Sequence, residues 1–469
     1  LALLLLVACA SAQHYPDFEW DEVTGLDEYV WRDDGAWTWE IVQTYNYSNV
    51  DIYMVNMTSQ YWMGVEGDDF ASRQLWWHMM GIAVPHEIID EDHATVFITG
   101  GNNRNPDDIP PKFDLYNTVA TQFANDSKCI AAYLLQVPNQ PIIFRDDPDQ
   151  RSRSEDDIIA YTWRWYIDQT AAGNDPPPEV ILRMPMTKAA KRAIDTVIAV
   201  AEEKAGTSPS KFLASGASKR GWTTWSLAAV DQRVIAAAPL VMSLLKFEET
   251  LQSHFRAFEG GWSFAFRPYY RENLTLHFSD PIATDNLFHY EDMYRYRSRL
   301  AEIPKLMVSA TGDEFFLNQD SHHWWDEFGG KKWIQMCPNA EHALFPHWLR
   351  IYSTIMGFWT NIIHGFETPE VWWTRSEGDG TGKVELETSE PPLSVRGLRS
   401  ETLPNNTRRD FRLAGEYDPT VIQPIWWRRQ NVTELSETEF EYEEEVVEDE
   451  WVGFFIETTF ESELGYEMY

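Results

Sequence analysis

From about residue 90 to residue 360 the chain alternates short, almost wholly apolar runs with longer stretches of helical periodicity. The runs are Ala94–Thr99 (ATVFIT), Ile130–Pro138 (IAAYLLQVP), Lys211–Gly216 (KFLASG), Val234–Met242 (VIAAAPLVM), Lys305–Asp313 (KLMVSATGD) and Lys331–Cys337 (KKWIQMC). A strand without polar alternation is covered on both faces, and that requires helices on either side of a parallel sheet. Lys188–Gly206 has apolar residues at helical spacing and a closing glycine, and a second helix is expected in FPHWLRIYSTIMGFWTNIIHG, residues 345–365. The chain is therefore predicted to be α/β around a mostly parallel central sheet. Trp37–Asn46 and Val50–Trp62 read as antiparallel strands added at its first edge.

Two segments interrupt or follow this pattern. Leu244–Leu300, rich in Phe, Tyr and Arg, is a long insertion between two strand-like runs. It reads equally as a lid over a pocket and as a packed helical excursion. After Pro369 short polar strands separated by turn residues predict a β-rich, sandwich-like domain over residues 370–469. Its acidic run, Glu441–Glu450, reads as a solvated face.

Composition narrows the function. The net charge of −36 repels phosphate backbones and anionic lipid, so no nucleic-acid role is expected. The opening LALLLLVACASAQ combines an apolar run with the small residues Ala10-Ser11-Ala12, as at the end of a secretory signal peptide. Residues 1–12 are read as that remnant and residues 13–369 as the α/β domain, with no membrane anchor. Six N-x-S/T sequons, at Asn46, Asn56, Asn125, Asn273, Asn405 and Asn431, fit an exported glycoprotein. Cys129 and Cys337 could pair in an oxidising compartment. In HEIIDEDH (His86–His93) the histidines are too far apart for a zinc helix, so no metal and no cofactor are expected.

The stretch FLASGASKRGWTTWSLAAVD places Ser218 between a strand and a helix, the setting of a nucleophile elbow. The turn reads G-x-S-x-x-G, with Arg220 where the second glycine usually stands and Gly221 one place later. Behind such an elbow the partners follow in the order acid, then histidine. Asp313 follows the strand KLMVSATG, and His342 follows KKWIQMC. Asp320 or Glu314 could serve as the acid instead, and His322, His323 or His347 as the base. The oxyanion donors would be the amide of Lys219 and those of Gly101 and Asn102, in the loop after VFIT. Lys219 is also read as a substrate-binding cation, and Arg220 as a structural one that meets a carboxylate. Trp222 and Trp225 are assigned to the core.

GASKRGWTTW, TGDEFF, PNAEH and WVGFFIETTF, in that order, resemble the PhoPQ-activated pathogenicity-related protein family from about Asp27 to Phe460. The resemblance implies an α/β-hydrolase fold and carries a catalytic triad onto Ser218, Asp313 and His342. It also implies two functions, because the family includes a secreted autocrine signal that slows proliferation. One is a secreted serine hydrolase acting on an ester or peptide bond of a small-molecule or peptide substrate. The other is a secreted signal on a hydrolase scaffold, bound by a cell-surface receptor. The S-K-R-G turn is similar to the S-R-x-G turn of glucuronoyl esterases, which suggests ester chemistry.

Overall fold

The computed structural model describes residues 22–63, 70–278, 280–378, 380–404, 406–417 and 420–469. The signal-peptide reading and the Asn405 sequon lie outside the described residues. Nine strands form the central sheet: β1 (Thr38–Asn46), β2 (Val50–Tyr61), β3 (Leu75–Pro85), β4 (His93–Ile98), β5 (Ile130–Leu134), β6 (Lys211–Ala217), β7 (Val234–Leu240), β8 (Lys305–Ala310) and β9 (Lys332–Cys337). Their order is β1-β2-β3-β5-β4-β6-β7-β8-β9. β1, β2, β3 and β5 pair antiparallel in succession, and every pairing from β5 to β9 is parallel. This crossed order, with a strand-to-helix turn after a central strand, is that of the α/β-hydrolase fold.

Helices cover both faces, as buried parallel strands demand. On one face lie α1 (Gly25–Trp31), α3 (Asp156–Ala171), α4 (Arg183–Ala205) and α5 (Lys219–Val230), packed into the main core. On the other lie α2 (Leu115–Ser127) and α10 (Trp348–His364), joined by the Phe123 and Tyr352 rings. The insertion contributes α6 (Phe247–Ala257), α7 (Arg267–Arg271), α8 (Pro281–Glu291) and α9 (Arg297–Ala301) to the first face. The sequence reading passed over β3, α1, α2 and α3. In β3 apolar residues point to both faces with no alternation, and His78 and Gly81 break the run.

Two four-stranded antiparallel sheets follow. One orders Val371–Gly378, Thr381–Thr388, Glu439–Glu445 and Thr433–Glu434, the other Arg428–Gln430, Ser394–Glu401, Val452–Glu461 and Glu467–Met468. They face one another through Tyr442 and Phe454, whose ring centroids are 5.3 Å apart. In Glu439–Glu445 the residues Phe440 and Tyr442 are buried while Glu439, Glu443 and Glu445 are exposed. The acidic character of that run is one face of an amphipathic strand.

Cys129 and Cys337 are free, buried thiols, which corrects the pairing considered above. Four strands separate β5 from β9, so the two ends lie about 24 Å apart across the sheet at one strand spacing per step. A disulfide bridges only about 7 Å between Cα atoms. Burial pushes both thiols up to about 12.

The insertion is locked to the body by an ion pair with no exposed surface. Arg183 of α4 meets Glu291 of α8 at 3.2 Å, and the Trp163 indole donates to Glu291 at 2.6 Å. The Trp222 indole donates to the Glu291 carbonyl. Burial disfavours both charges, lowering the Arg183 pKa and raising that of Glu291. Removing one partner leaves the other charge unpaired in the core. Glu291→Ala is therefore expected to destabilise the chain by about 3–5 kcal/mol, whereas Glu291→Gln keeps the indole bond and loses less. Urea midpoints of the two variants against the parent check this ordering.

Candidate active site

Ser218 joins β6 to α5 at φ 58° and ψ −129°, a region that side chains other than glycine avoid. The turn is held at both ends: Ser218 N–H donates to the Leu240 carbonyl at 2.9 Å, and Ser218 O accepts from Trp222 N–H. Gly216 is required beneath it. A Cβ there would lie 2.7 Å from the Arg220 carbonyl oxygen and 2.9 Å from that of Ile98. Lys219 opens α5, so its N–H is the first of the amides that lack an intrahelical acceptor. Arg183 donates to the Lys219 carbonyl at 3.0 Å and fixes the first turn from below.

Asp313 and His342 are brought together. His342 Nδ1 lies 2.9 and 3.0 Å from the two Asp313 carboxylate oxygens. The carboxylate only accepts, so Nδ1 carries the hydrogen and Nε2 is left with its lone pair. Asp313 also accepts from the Phe315 and Phe316 amides, and the His342 amide donates to Glu314. Burial works against a charged ring, but the Asp313 carboxylate outweighs it and raises the His342 pKa. His342 Nε2 is buried and makes no hydrogen bond, to Ser218 or to any other described residue.

The other candidates sit elsewhere. Asp320 is buried and receives the Leu317 amide. His347 Nε2 donates to the Pro338 carbonyl, and His322 and His323 stack on one another with centroids 4.0 Å apart. Trp225 is fully buried, and Trp222, though in the core, also reaches the cavity at Ser218.

Ser218 and Lys219 open on a cavity of about 30 Å³. Its walls are Trp163 and Trp222 from the body, Leu251, Phe266 and Phe278 from the insertion, and Phe315 and Phe316 from the acid loop. The insertion thus does reach the pocket. Phe315 and Phe316 also flank the His342 ring, at 4.7 and 5.8 Å between centroids, and so join histidine and serine through one aromatic wall.

The Lys219 side chain corrects its sequence reading. Its ammonium is held by Glu155 at 2.8 Å and Asp156 at 3.0 Å, so it is not a free cation for an anionic substrate. Tyr269 OH donates to Asp156. Arg220 meets a carboxylate: Nη2 lies 2.7 Å from Glu155, and Nε donates to the Val137 carbonyl. Burial would raise the Glu155 pKa, but Lys219 and Arg220 outweigh it and hold the carboxyl well below its usual range.

Glu155 also reaches the Gly100–Asn102 loop. Its carboxylate accepts from Gln140 Nε2, which donates in turn to the Gly101 carbonyl at 2.7 Å. Gln136 N–H donates to the Gly100 carbonyl at 2.8 Å. In a planar trans peptide the N–H points opposite to the C=O. The Gly101 and Asn102 amides are therefore aimed away from Gln136 and Gln140. A Cβ at Gly100 would lie 2.6 Å from the Arg220 guanidinium, so a side chain there would displace that group. Sequence reasoning missed Glu155, Asp156, Gln140 and Arg183. The one local signal was the acidic start of a helix at Glu155–Asp157.

The loops that carry Asp313 and His342 are pinned by residues far along the chain. Leu413 N–H donates to the Gly312 carbonyl, and Asn339 exchanges two hydrogen bonds with the Trp427 backbone. Of the sequon asparagines, Asn46, Asn273 and Asn431 are exposed, while Asn56 on β2 and Asn125 on α2 are half-buried. Among the described residues no His, Cys, Asp and Glu cluster could hold a metal ion, and no helix is long and apolar enough to cross a membrane.

Comparison with known proteins follows the same residues. The chain is 32% identical to autocrine proliferation repressor protein A of Dictyostelium discoideum, over 98% of its own length and 89% of that protein. Among solved structures it is similar to an acetyl xylan esterase from Paenibacillus sp. R4 (14% identity, TM-score 0.43, 69% of this chain and 91% of that one). It is similar also to acetyl xylan esterase 1 from Thermoanaerobacterium sp. JW/SL YS485 (14% identity, TM-score 0.41, 68% and 88%). Residues 26–412 match the family described as PhoPQ-activated pathogenicity-related protein, and the chain belongs to that family.

Proposed function

We propose that the protein is a secreted serine hydrolase that cleaves esters of short apolar acyl groups through Ser218, His342 and Asp313. The observation that carries the reading is His342. Its Nδ1 is committed to Asp313, and its Nε2 is buried, basic and unbonded, beside the aromatic wall that it shares with Ser218. His342 Nε2 takes the Ser218 proton as Oγ attacks the ester carbonyl, and Asp313 stabilises the imidazolium. The developing oxyanion is met by the Lys219 amide and by those of Gly101 and Asn102. His342 returns the proton to the leaving alcohol, and water then releases the acyl group. The narrow aromatic cavity favours a short acyl chain, because a long one would have to displace Phe315 or Phe316. An ester is favoured over a peptide by the lack of an unpaired charge at the cavity, since Lys219 and Asp156 satisfy each other. Secretion is supported by the signal-like opening and the exposed sequons at Asn46, Asn273 and Asn431.

A second reading rests on the relative named for autocrine repression of proliferation. In it the chain is an extracellular signal read by a receptor, and Ser218 is dispensable. Cells treated with folded Ser218→Ala protein separate the two, since a full response without catalysis favours the signal.

A fluorophosphonate probe is expected to label the parent on Ser218 and to leave Ser218→Ala unlabelled; peptide mapping to another residue sinks the assignment. The base must be neutral, and its pKa is raised. Turnover of a short-chain ester should therefore fall on the acid side with an inflection above the ordinary histidine value of about 6.5, read from a kcat/KM profile. Glu155→Ala removes the carboxylate that holds Gln140 and Arg220 beside the Gly100–Asn102 loop. It is expected to lower kcat about 100-fold with KM little changed. A drop in melting temperature with kcat intact would limit Glu155 to a structural part.

A further inference from the structure

A second cavity, of about 580 Å³, lies between the central sheet and the C-terminal sheets, away from Ser218. β9 is the last strand of its sheet. Its odd-numbered neighbours bond to β8, as Lys305 N–H to Lys331 O and Thr311 N–H to Cys337 O demonstrate. The backbone groups of Lys332, Ile334 and Met336 therefore point away from β8, and these three residues line the cavity. The facing wall is built by Val384, Leu386, Phe454 and Ile456. Trp325 and Trp373 meet at one end with centroids 5.0 Å apart. The lining follows β9 from Lys332 to Met336, four steps or about 13 Å at strand rise, so the space is elongated.

A cavity of this size between packed sheets, with mainly apolar walls and polar and charged groups at its margins, has the form of a small-molecule site. Charge selects the class of ligand. The chain as a whole carries −36, yet the ionic groups here are largely cations. Among the described residues Lys332, Arg409 and the exposed Arg375 line the cavity with no carboxylate within ion-pair distance, while Lys383 is taken by Glu385 and Glu441. Of the lining carboxylates, Glu457 is taken by Arg350 and Arg396, and Glu377 is exposed. The Lys332 ammonium lies 5.1 Å from the Trp325 ring centre, inside the aromatic end. The Trp427 indole N–H, on another lining residue, is buried without a partner.

We propose that this cavity binds a long-chain carboxylate, its chain laid along β9 and its headgroup on Lys332. Burial holds the Lys332 pKa down, with Asp326 acting against it, and an anion beside the ammonium would relieve that cost. The chain fills the space between Ile334, Leu386 and Phe454, and the open backbone edge supplies further donors to the headgroup.

Dodecanoate, kept below its micelle concentration, is titrated into the full chain. Tryptophan emission and native mass spectrometry give affinity and stoichiometry. The expected result is saturable 1:1 binding, with dodecanol weaker by about tenfold or more, as befits loss of one charge-assisted hydrogen bond. Lys332→Glu should weaken dodecanoate by a similar factor while sparing dodecanol. Val384→Trp, which narrows the cavity from its facing wall, should weaken both without lowering the melting temperature. Absence of saturable binding, equal affinity for acid and alcohol, or binding untouched by both substitutions would overturn the proposal.

Discussion

A serine with positive φ at the end of a buried parallel strand is the constraint on which the rest of this molecule is arranged. Such a conformation costs on the order of 1–3 kcal/mol and persists only where its surroundings over-determine it. Here β7 supplies an acceptor for the Ser218 amide, α5 returns a donor to its carbonyl, and Gly216 lets Ile98 and Arg220 approach. The strain and the exposure of the hydroxyl have one cause: the chain must turn from strand to helix with no intervening loop.

The charged residues beside the elbow are part of the same solution. Lys219 and Arg220 cannot extend into solvent from so crowded a turn, and both converge on Glu155. Glu155 itself has φ 55° and ψ −130°, almost the conformation of Ser218, at the start of α3. Two strained positions therefore face each other across an ion pair. Through Gln140 the same carboxylate orders the Gly100–Asn102 loop. One acidic group thus ties the Ser218 turn to the Gly100–Asn102 loop, and in a partly buried setting its hydrogen bonds are worth more than surface ion pairs.

The insertion and the C-terminal segments complete the site from outside the sheet. Glu291 anchors the insertion to α4 through Arg183 and to α5 through Trp222, while Leu251, Phe266 and Phe278 close the cavity above. Leu413 and Trp427 hold the loops bearing Asp313 and His342. Asp313 and His342 are therefore positioned by residues up to about a hundred places further along the chain, in loops outside the central sheet. Loops fixed by a rigid scaffold are where chemistry is usually placed.

Much of this was written locally. Apolar runs without alternation specify buried parallel strands, so β4 to β9 were legible with α4 and α5, as was a serine between strand and helix followed by Asp313 and His342 at later strand ends. Those signals depend only on near neighbours in sequence. β3 escaped because its residues are buried on both faces and bear no period, and α3 because its aromatic and β-branched residues are weak helix formers and Glu155 makes no side-chain capping bond. Tertiary structure alone decided that Lys219 is neutralised by Glu155 and Asp156, and that Cys129 and Cys337 stand too far apart to bond. It alone turned the insertion inward and left a cavity along the free edge of β9. Each of these is a distance between residues remote in sequence. Such distances are set by strand order and by which faces meet, and a one-dimensional pattern of polarity carries neither.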